Sequence, residues 1–172
     1  DPFLLFDDFS SENPDDFVAG FPWHPHRGIE TVNYILAGEV DHKDSIGNAG
    51  RIGAGDCQWM TAGGGIMHEE MPRVAPQAAQ GRLAGFQLWV NLPARLKMCA
   101  PRYRNIAAAE VPTEEPAPDV RVRVVAGQAV GATGPVHDIA AEPTYMDVSL
   151  EPGATFTQPV PLLDAAGRPT GF

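Results

Sequence analysis

An all-β fold built of antiparallel strands is predicted for this chain of 172 residues from three observations. Short runs rich in β-branched and aromatic residues recur at close intervals, with turn residues between them. Glycine (18) and proline (17) together make up about a fifth of the chain, which favours many turns over long helices. No stretch holds a helical period for long without meeting one of them. Such a pattern belongs to sandwiches and barrels.

The elements follow in order. Thr31–Leu36 (TVNYIL) reads as a strand closed by Ala37-Gly38. Glu39–Asp44 alternates weakly, and Ile46–Gly50 (IGNAG) reads as a turn. Cys57–Thr61 (CQWMT) is strand-like and is interrupted by Gly63-Gly64-Gly65. Leu83–Leu92 (LAGFQLWVNL) is the longest β-compatible run, ended by Pro93. Asn105–Val111 (NIAAAEV) is expected to form one or two helical turns, and Pro112–Pro118 (PTEEPAP) an exposed connector between two units. Val120–Val125 alternates strictly and places Arg121 and Arg123 on one face of a half-buried strand. Tyr145–Leu150 is another strand, followed by a turn at Pro152-Gly153 and an extended Thr155–Thr157.

Twelve basic against twenty-two acidic residues leave a net charge of −10. A free-standing nucleic-acid binder needs a basic face, so direct nucleic-acid binding is not expected. Hydrophobic residues at 44% suit a globular core, and no apolar run reaches the ~20 residues of a membrane helix. Cys57 and Cys99 lie far apart without CxxC spacing and are expected to be reduced, half-buried thiols. That fits a cytoplasmic protein, nuclear as well in a eukaryote. The opening Asp1–Phe9 segment reads as folded chain, not as a leader.

The histidines cluster in sequence. His24-Pro25-His26 puts two imidazoles at i and i+2, on one side of an extended segment and about 6.6 Å apart at Cα. Pro25 removes a ladder hydrogen bond, so the segment should lie at an edge or a strand entry. His68-Glu69-Glu70 repeats the spacing, with His68 and Glu70 sharing a face. Two such pairs on facing strands converge three imidazoles and a carboxylate, a donor set suited to iron, nickel, manganese, copper, cobalt or zinc. His42 and His137 lack such company and read as ordinary polar positions. Three carboxylates compete for the fourth place. Glu70 needs no bend; Glu30, about 13 Å beyond His26 in an extended strand, needs one at Gly28; Glu69 should turn to the opposite side.

The stretch Gly20–Val32 (GFPWHPHRGIETV) resembles the first signature of the pirin family, and Gly55–Pro72 (GDCQWMTAGGGIMHEEMP) its second. Phe86–Pro93 (FQLWVNLP) and Leu150–Ala154 (LEPGA) continue the likeness, which covers nearly all of residues 1–160. Trp23, Gly64 and Glu69 depart from the family's usual residues without being ligands. The resemblance implies an all-β bicupin, two cupin β-barrels of jelly-roll (double-stranded β-helix) type. It also implies a metal, typically iron as Fe(II), held by His24, His26, His68 and Glu70. The usual cupin arrangement would instead nominate Glu30. By length, the expected division is a metal-binding cupin over 1–111 and a linker with the start of an incomplete second barrel over 112–172. The tail LLDAAGRPTGF does not resemble the expected strand.

Around such a site Phe21, Trp23, Ile29, Trp59 and Met67 are the wall candidates. Glu30 and Glu69 could act as a base beside the ligands, and Gln58 could orient one. The resemblance implies a metal-dependent dioxygenase of the quercetin 2,3-dioxygenase type, acting on a flavonol-like aromatic with dioxygen. The competing class is a non-enzymatic, metal- or redox-responsive protein that meets a protein partner, as a transcriptional co-regulator does. A weaker third is a structural cupin stabilised by its metal.

Overall fold

A computed structural model describes residues 2–73 and 81–159, and these are nearly all strand and turn. The chain divides into two compact units, Pro2–Ala108 and the residues from Ala109 onward. Within the described residues, no helix is long and apolar enough to cross a membrane.

Among the described residues, nine strands build the first unit: β1 (Phe3–Asp8), β2 (Phe21–His26), β3 (Ile29–Ala37), β4 (Glu39–Asp44), β5 (Ala49–Gly53), β6 (Cys57–Thr61), β7 (Ile66–Pro72), β8 (Ala84–Asn91) and β9 (Arg102–Ile106). They form a five-stranded sheet ordered β1-β8-β3-β6-β9 and a four-stranded sheet ordered β2-β7-β4-β5, with antiparallel pairing throughout. Side chains from both sheets fill the space between them. One cluster joins Ile35 of β3 to Val40, Ile52, Phe17 and Leu83, and another joins Ile29 and Met60 to Ile66 of β7. This is the jelly-roll barrel of a cupin, closed by facing sheets instead of by one continuous ladder.

Local chemistry explains the boundaries. Asp44 ends β4 because its carboxylate takes the backbone N–H groups of Ile46 (3.0 Å) and Asn48 (2.9 Å), an Asx turn that starts the hairpin. The turn therefore finishes at Asn48, and Ala49-Gly50, read from sequence as turn, already belong to β5. Gly63, at φ +52, is packed so closely that an added Cβ would lie 2.2 Å from the Cys99 carbonyl oxygen. That close approach, with Gly64 N–H donating to Cys99 O at 2.8 Å, pins the β6–β7 connection under the 94–100 loop.

In the second unit β10 (Thr113–Ala117), β11 (Val120–Ala126) and β14 (Tyr145–Leu150) form a three-stranded antiparallel sheet, and β12 (Gln128–Ala129) pairs with β13 (Ala132–Thr133). Val120, Val122 and Val124 line its buried face, while Arg121 is exposed as the alternation requires.

Three local expectations are corrected. Asn105 and Ile106 end strand β9, leaving a single 3-10 turn at Ala108–Glu110, because β6 offers a free edge that a short helix could not pair. Pro112–Pro118 is mostly strand: β10 is wholly exposed but lies against β11, and its register shifts between Glu114 and Ala117, the stretch that holds Pro116. Thr155–Thr157 lies outside any strand. The expectation about the LLDAAGRPTGF tail falls outside the described residues.

Candidate metal centre

The histidines meet through strand register. β2 is the edge strand of its sheet, as Pro25 requires, and it pairs with β7 so that His24 stands opposite His68. On the other side of β7, His68 stands opposite Asp44 and Glu70 opposite His42. Period-two alternation then turns His24, His26, His68 and Glu70 to the barrel interior. The ring centroids are 4.3 Å apart for His24–His68, 4.8 Å for His24–His26 and 4.9 Å for His26–His68. One nitrogen from each ring falls within a cluster no wider than 4.8 Å.

The donor chemistry fits a metal. His24 Nδ1 lies 2.9 Å from the Pro22 carbonyl, which can only accept, so Nδ1 carries the proton and the Nε2 lone pair faces the cluster. Nε2 of His24 and Nε2 of His26 are 3.0 Å apart. Two nitrogens bound at right angles to a metal ~2.1 Å away would be separated by about that distance. His68 is 1% exposed, and neither of its ring nitrogens has a hydrogen-bond partner among the described residues. A buried polar atom without a partner costs about 1–3 kcal/mol, a cost that a cation would remove. Burial, with the neighbouring histidines adding to it, pushes His68 down to about 3; burial, with His24 adding to it, pushes His26 down to about 4. Both rings are therefore neutral at pH 7, the form that binds metals.

Glu70 is also buried, with its Oε2 3.9 Å from His68 Nε2. Asn33 donates to its Oε1, and Gln87 Nε2 donates to its Oε2 at 3.3 Å. Burial raises its pKa to about 7, against the lowering effect of those two donors. The three imidazoles thus stand together, with the carboxylate beside them and held from the facing sheet.

The other sequence candidates are spread over three surfaces. Gln58 is wholly buried in the interior, where its amide bonds Asn33 (3.2 Å) and the Tyr103 hydroxyl (2.6 Å). Ile29 is in the core cluster beside Trp89. Phe21, displaced by a register shift before His24, is exposed and borders a small apolar cavity shared with Phe9, Ile35, Leu83 and Glu70. Trp23 and Met67 are corrections to the expected wall: alternation turns them outward, and they are 45% and 40% exposed. Lys43 lies over the Trp23 ring and pairs with Glu69 at 2.7 Å, so Glu69 is on that outer face and is no base for the site. Trp59 and Glu30 are corrected too. Both project from the opposite side of the five-stranded sheet from Asn33 and Gln58, where Glu30 accepts from Thr61 Oγ1 at 2.7 Å.

Sequence reading missed Asn33, Gln87, Trp89, Tyr103 and His42. Trp89 packs edge-on against His26, with centroids 5.2 Å apart, and donates to Gln87 at 2.8 Å. His42, taken for an ordinary polar position, is buried and lies 2.7 Å from the Tyr103 hydroxyl. Gly50, opposite His42, leaves the space that His42 and Asn105 fill. One signal was available: polar residues inside the apolar runs TVNYIL and FQLWVNL mark a partly polar barrel interior.

The pirin family model matches residues 1–90, more than half of the chain. The chain belongs to the pirin family. It is 48% identical over 161 residues to a pirin-like protein of Caulobacter vibrioides, covering 93% of this chain and 57% of that one. The chain thus spans little more than half the length of that relative. Its fold is similar to the crystal structure of a quercetin 2,3-dioxygenase from Acinetobacter baumannii, with a TM-score of 0.67 and 40% identity over 79% of this chain and 48% of the other. It is also similar to the bacterial pirin YhhW of Escherichia coli in complex with nickel(II), with a TM-score of 0.51 and 27% identity over 74% and 57% of the two chains. This pirin is thus an all-β cupin protein, similar to one solved pirin that holds nickel(II).

Proposed function

We propose that this pirin chain carries the metal centre of a dioxygenase of the quercetin 2,3-dioxygenase type, with Fe(II) held by His24, His26, His68 and Glu70. The observation that supports it most is the convergence of three imidazoles, one of them fully buried with neither ring nitrogen hydrogen-bonded among the described residues. The likeness to a quercetin dioxygenase structure supplies the substrate class. The cupin domain would span 1–111, with the start of a second barrel after it. Two free thiols, Cys57 and Cys99, fit a cytoplasmic protein.

The residues have separate tasks. His24, with its tautomer fixed by Pro22 O, and His26 offer Nε2; His68 offers a ring nitrogen; Glu70 offers the one negative charge that offsets a divalent cation. When bound, the metal supplies a Lewis acid for the acidic hydroxyl of a flavonol and an electron route to dioxygen. Trp89, half-buried and edge-on to His26, gives apolar surface against which a planar aromatic can pack.

The test combines elemental analysis with oxygen uptake. Iron-loaded protein should hold about one metal per chain and consume oxygen when quercetin is added, and His68→Ala should lose both. Full metal content in His68→Ala would place the site elsewhere. Stoichiometric metal with no quercetin-dependent uptake would reject the dioxygenase.

A further inference from the structure

The buried carboxylate of Glu70 is fixed by a line of hydrogen bonds that reaches the far side of the barrel. We infer that Tyr103 is a positioning residue for Glu70, acting through Gln58 and Asn33; its bearing on metal binding rests on the metal-centre reading above.

The orientation of each group follows from its neighbour. A carboxylate only accepts, so Asn33 and Gln87 both turn their NH2 groups to Glu70, one to each oxygen. Each NH2 has a second hydrogen. That of Gln87 goes to Asn33 Oδ1 at 3.1 Å, and that of Asn33 to Gln58 Oε1 at 3.2 Å. Gln58 therefore shows its oxygen to Asn33 and its own NH2 to Tyr103, whose hydroxyl oxygen accepts at 2.6 Å. Having accepted, the Tyr103 hydroxyl has one proton to give, to His42 Nε2 at 2.7 Å or Asn105 Oδ1 at 3.1 Å. Every link from Gln87 to His42 donates in the same direction, the arrangement in which hydrogen bonds strengthen one another. Reversing Gln58 alone would set its NH2 against the NH2 of Asn33.

These side chains come from six different strands, so the line ties both sheets together at the carboxylate. Tyr103 hydrogen-bonds Gln58, His42 and Asn105, not Glu70 or the clustered His24, His26 and His68. Its hydroxyl nevertheless supplies the acceptor that keeps Gln58, and through it Asn33, from turning. Without it, a wholly buried amide is left with an unpaired NH2 and has reason to flip. The Asn33 donor then no longer aims at Glu70 Oε1, and the carboxylate gains freedom it lacks in the native protein.

A double-mutant cycle tests this without any metal. Urea unfolding of the metal-free wild type, Tyr103→Phe, Glu70→Gln and the double variant should be non-additive by about fivefold or more in the unfolding constant. Two residues with separate structural roles would simply add. With Ni(II) as probe, Tyr103→Phe should bind ~10- to 100-fold more weakly and show a shifted d–d absorption. If Tyr103→Phe fails to fold, Gln58→Met breaks the same line one link nearer and must show the same coupling to Glu70. An additive cycle overturns the inference, as does a Tyr103→Phe protein whose nickel affinity and spectrum equal the wild type's. A non-additive cycle in a chain that binds no nickel upholds the link and rejects the metal centre instead.

Discussion

Glu30 and Glu70 are both almost fully buried carboxylates, 2% and 3% exposed, yet they belong to different surfaces. Glu70 faces the imidazoles from β7, whereas Glu30 is turned to the other side of its sheet and is occupied by Thr61. Glu70→Gln should therefore abolish stoichiometric metal, while Glu30→Gln should leave metal affinity near the wild-type value. Titration with Ni(II), followed calorimetrically, checks both; the reverse order would reassign the ligand. The buried groups also set a pH dependence for the metal-free protein. His26 and His68, lowered to about 4 and about 3, stay neutral while unfolded histidines charge below ~6.5, so the unfolded state binds more protons and stability falls as the pH drops. Glu70, raised to about 7, works the other way between ~4.5 and 7, because the folded state then holds the extra proton. The two effects partly cancel between about 6.5 and 4.5. Loss of stability should thus be steepest below pH ~4.5, as urea midpoints measured across pH would show. A steepest loss near pH 5 would mean that Glu70 keeps its ordinary pKa.

Strand register carries the site at the next scale, since His24 meets His68 only if β2 and β7 keep their pairing. A slip of one residue would turn every ligand outward. The β6–β7 connection guards that register. Gly63 combines a positive φ with a carbonyl that an added methyl would overlap, whereas Gly47, also at positive φ, has open space around it. Gly63→Ala should cost several kcal/mol and displace His68, while Gly47→Ala should cost about 1 kcal/mol, the backbone penalty alone. Comparing their denaturation midpoints and metal contents checks this, and equal losses would show that Gly63 is no clamp. Strands β3, β6, β8, β11 and β14 were legible because each is a run rich in β-formers with Gly or Pro close after it, and β4 only through its weak alternation. β10 was not, because charged residues and Pro116 on an edge strand look the same in sequence as a connector.

For the whole molecule, a cation bound to the folded state alone must shift the unfolding equilibrium by mass action. Free metal at about 100 times Kd adds ~2.7 kcal/mol to the unit that binds it. Thermal unfolding should thus move upward with Ni(II) or Fe(II) concentration and return on addition of a chelator, and His24→Ala should remove the shift. The net charge of −10 attracts divalent cations to the surface as well, so the variant is the necessary control. A shift retained in His24→Ala would assign the effect to surface binding.

The amino-acid sequence determined the all-β class, the edge position of His24-Pro25-His26 and the shared face of each i,i+2 pair, while the proposed choice of Glu70 as fourth ligand leaned also on the pirin resemblance. The first three depend on period-two alternation and on proline and glycine chemistry, which act over a few residues. Only the tertiary structure decided which polar groups surround the ligands. Asn33, Gln58, Gln87, Tyr103 and His42 lie up to 70 residues apart in the chain and meet because two sheets face one another across a narrow interior. The structure also turned Trp23, Met67 and Glu69 outward and put Glu30 and Trp59 behind the sheet. Hydrophobicity in the sequence says that a side chain is to be buried, but the partner strand and its register decide on which side.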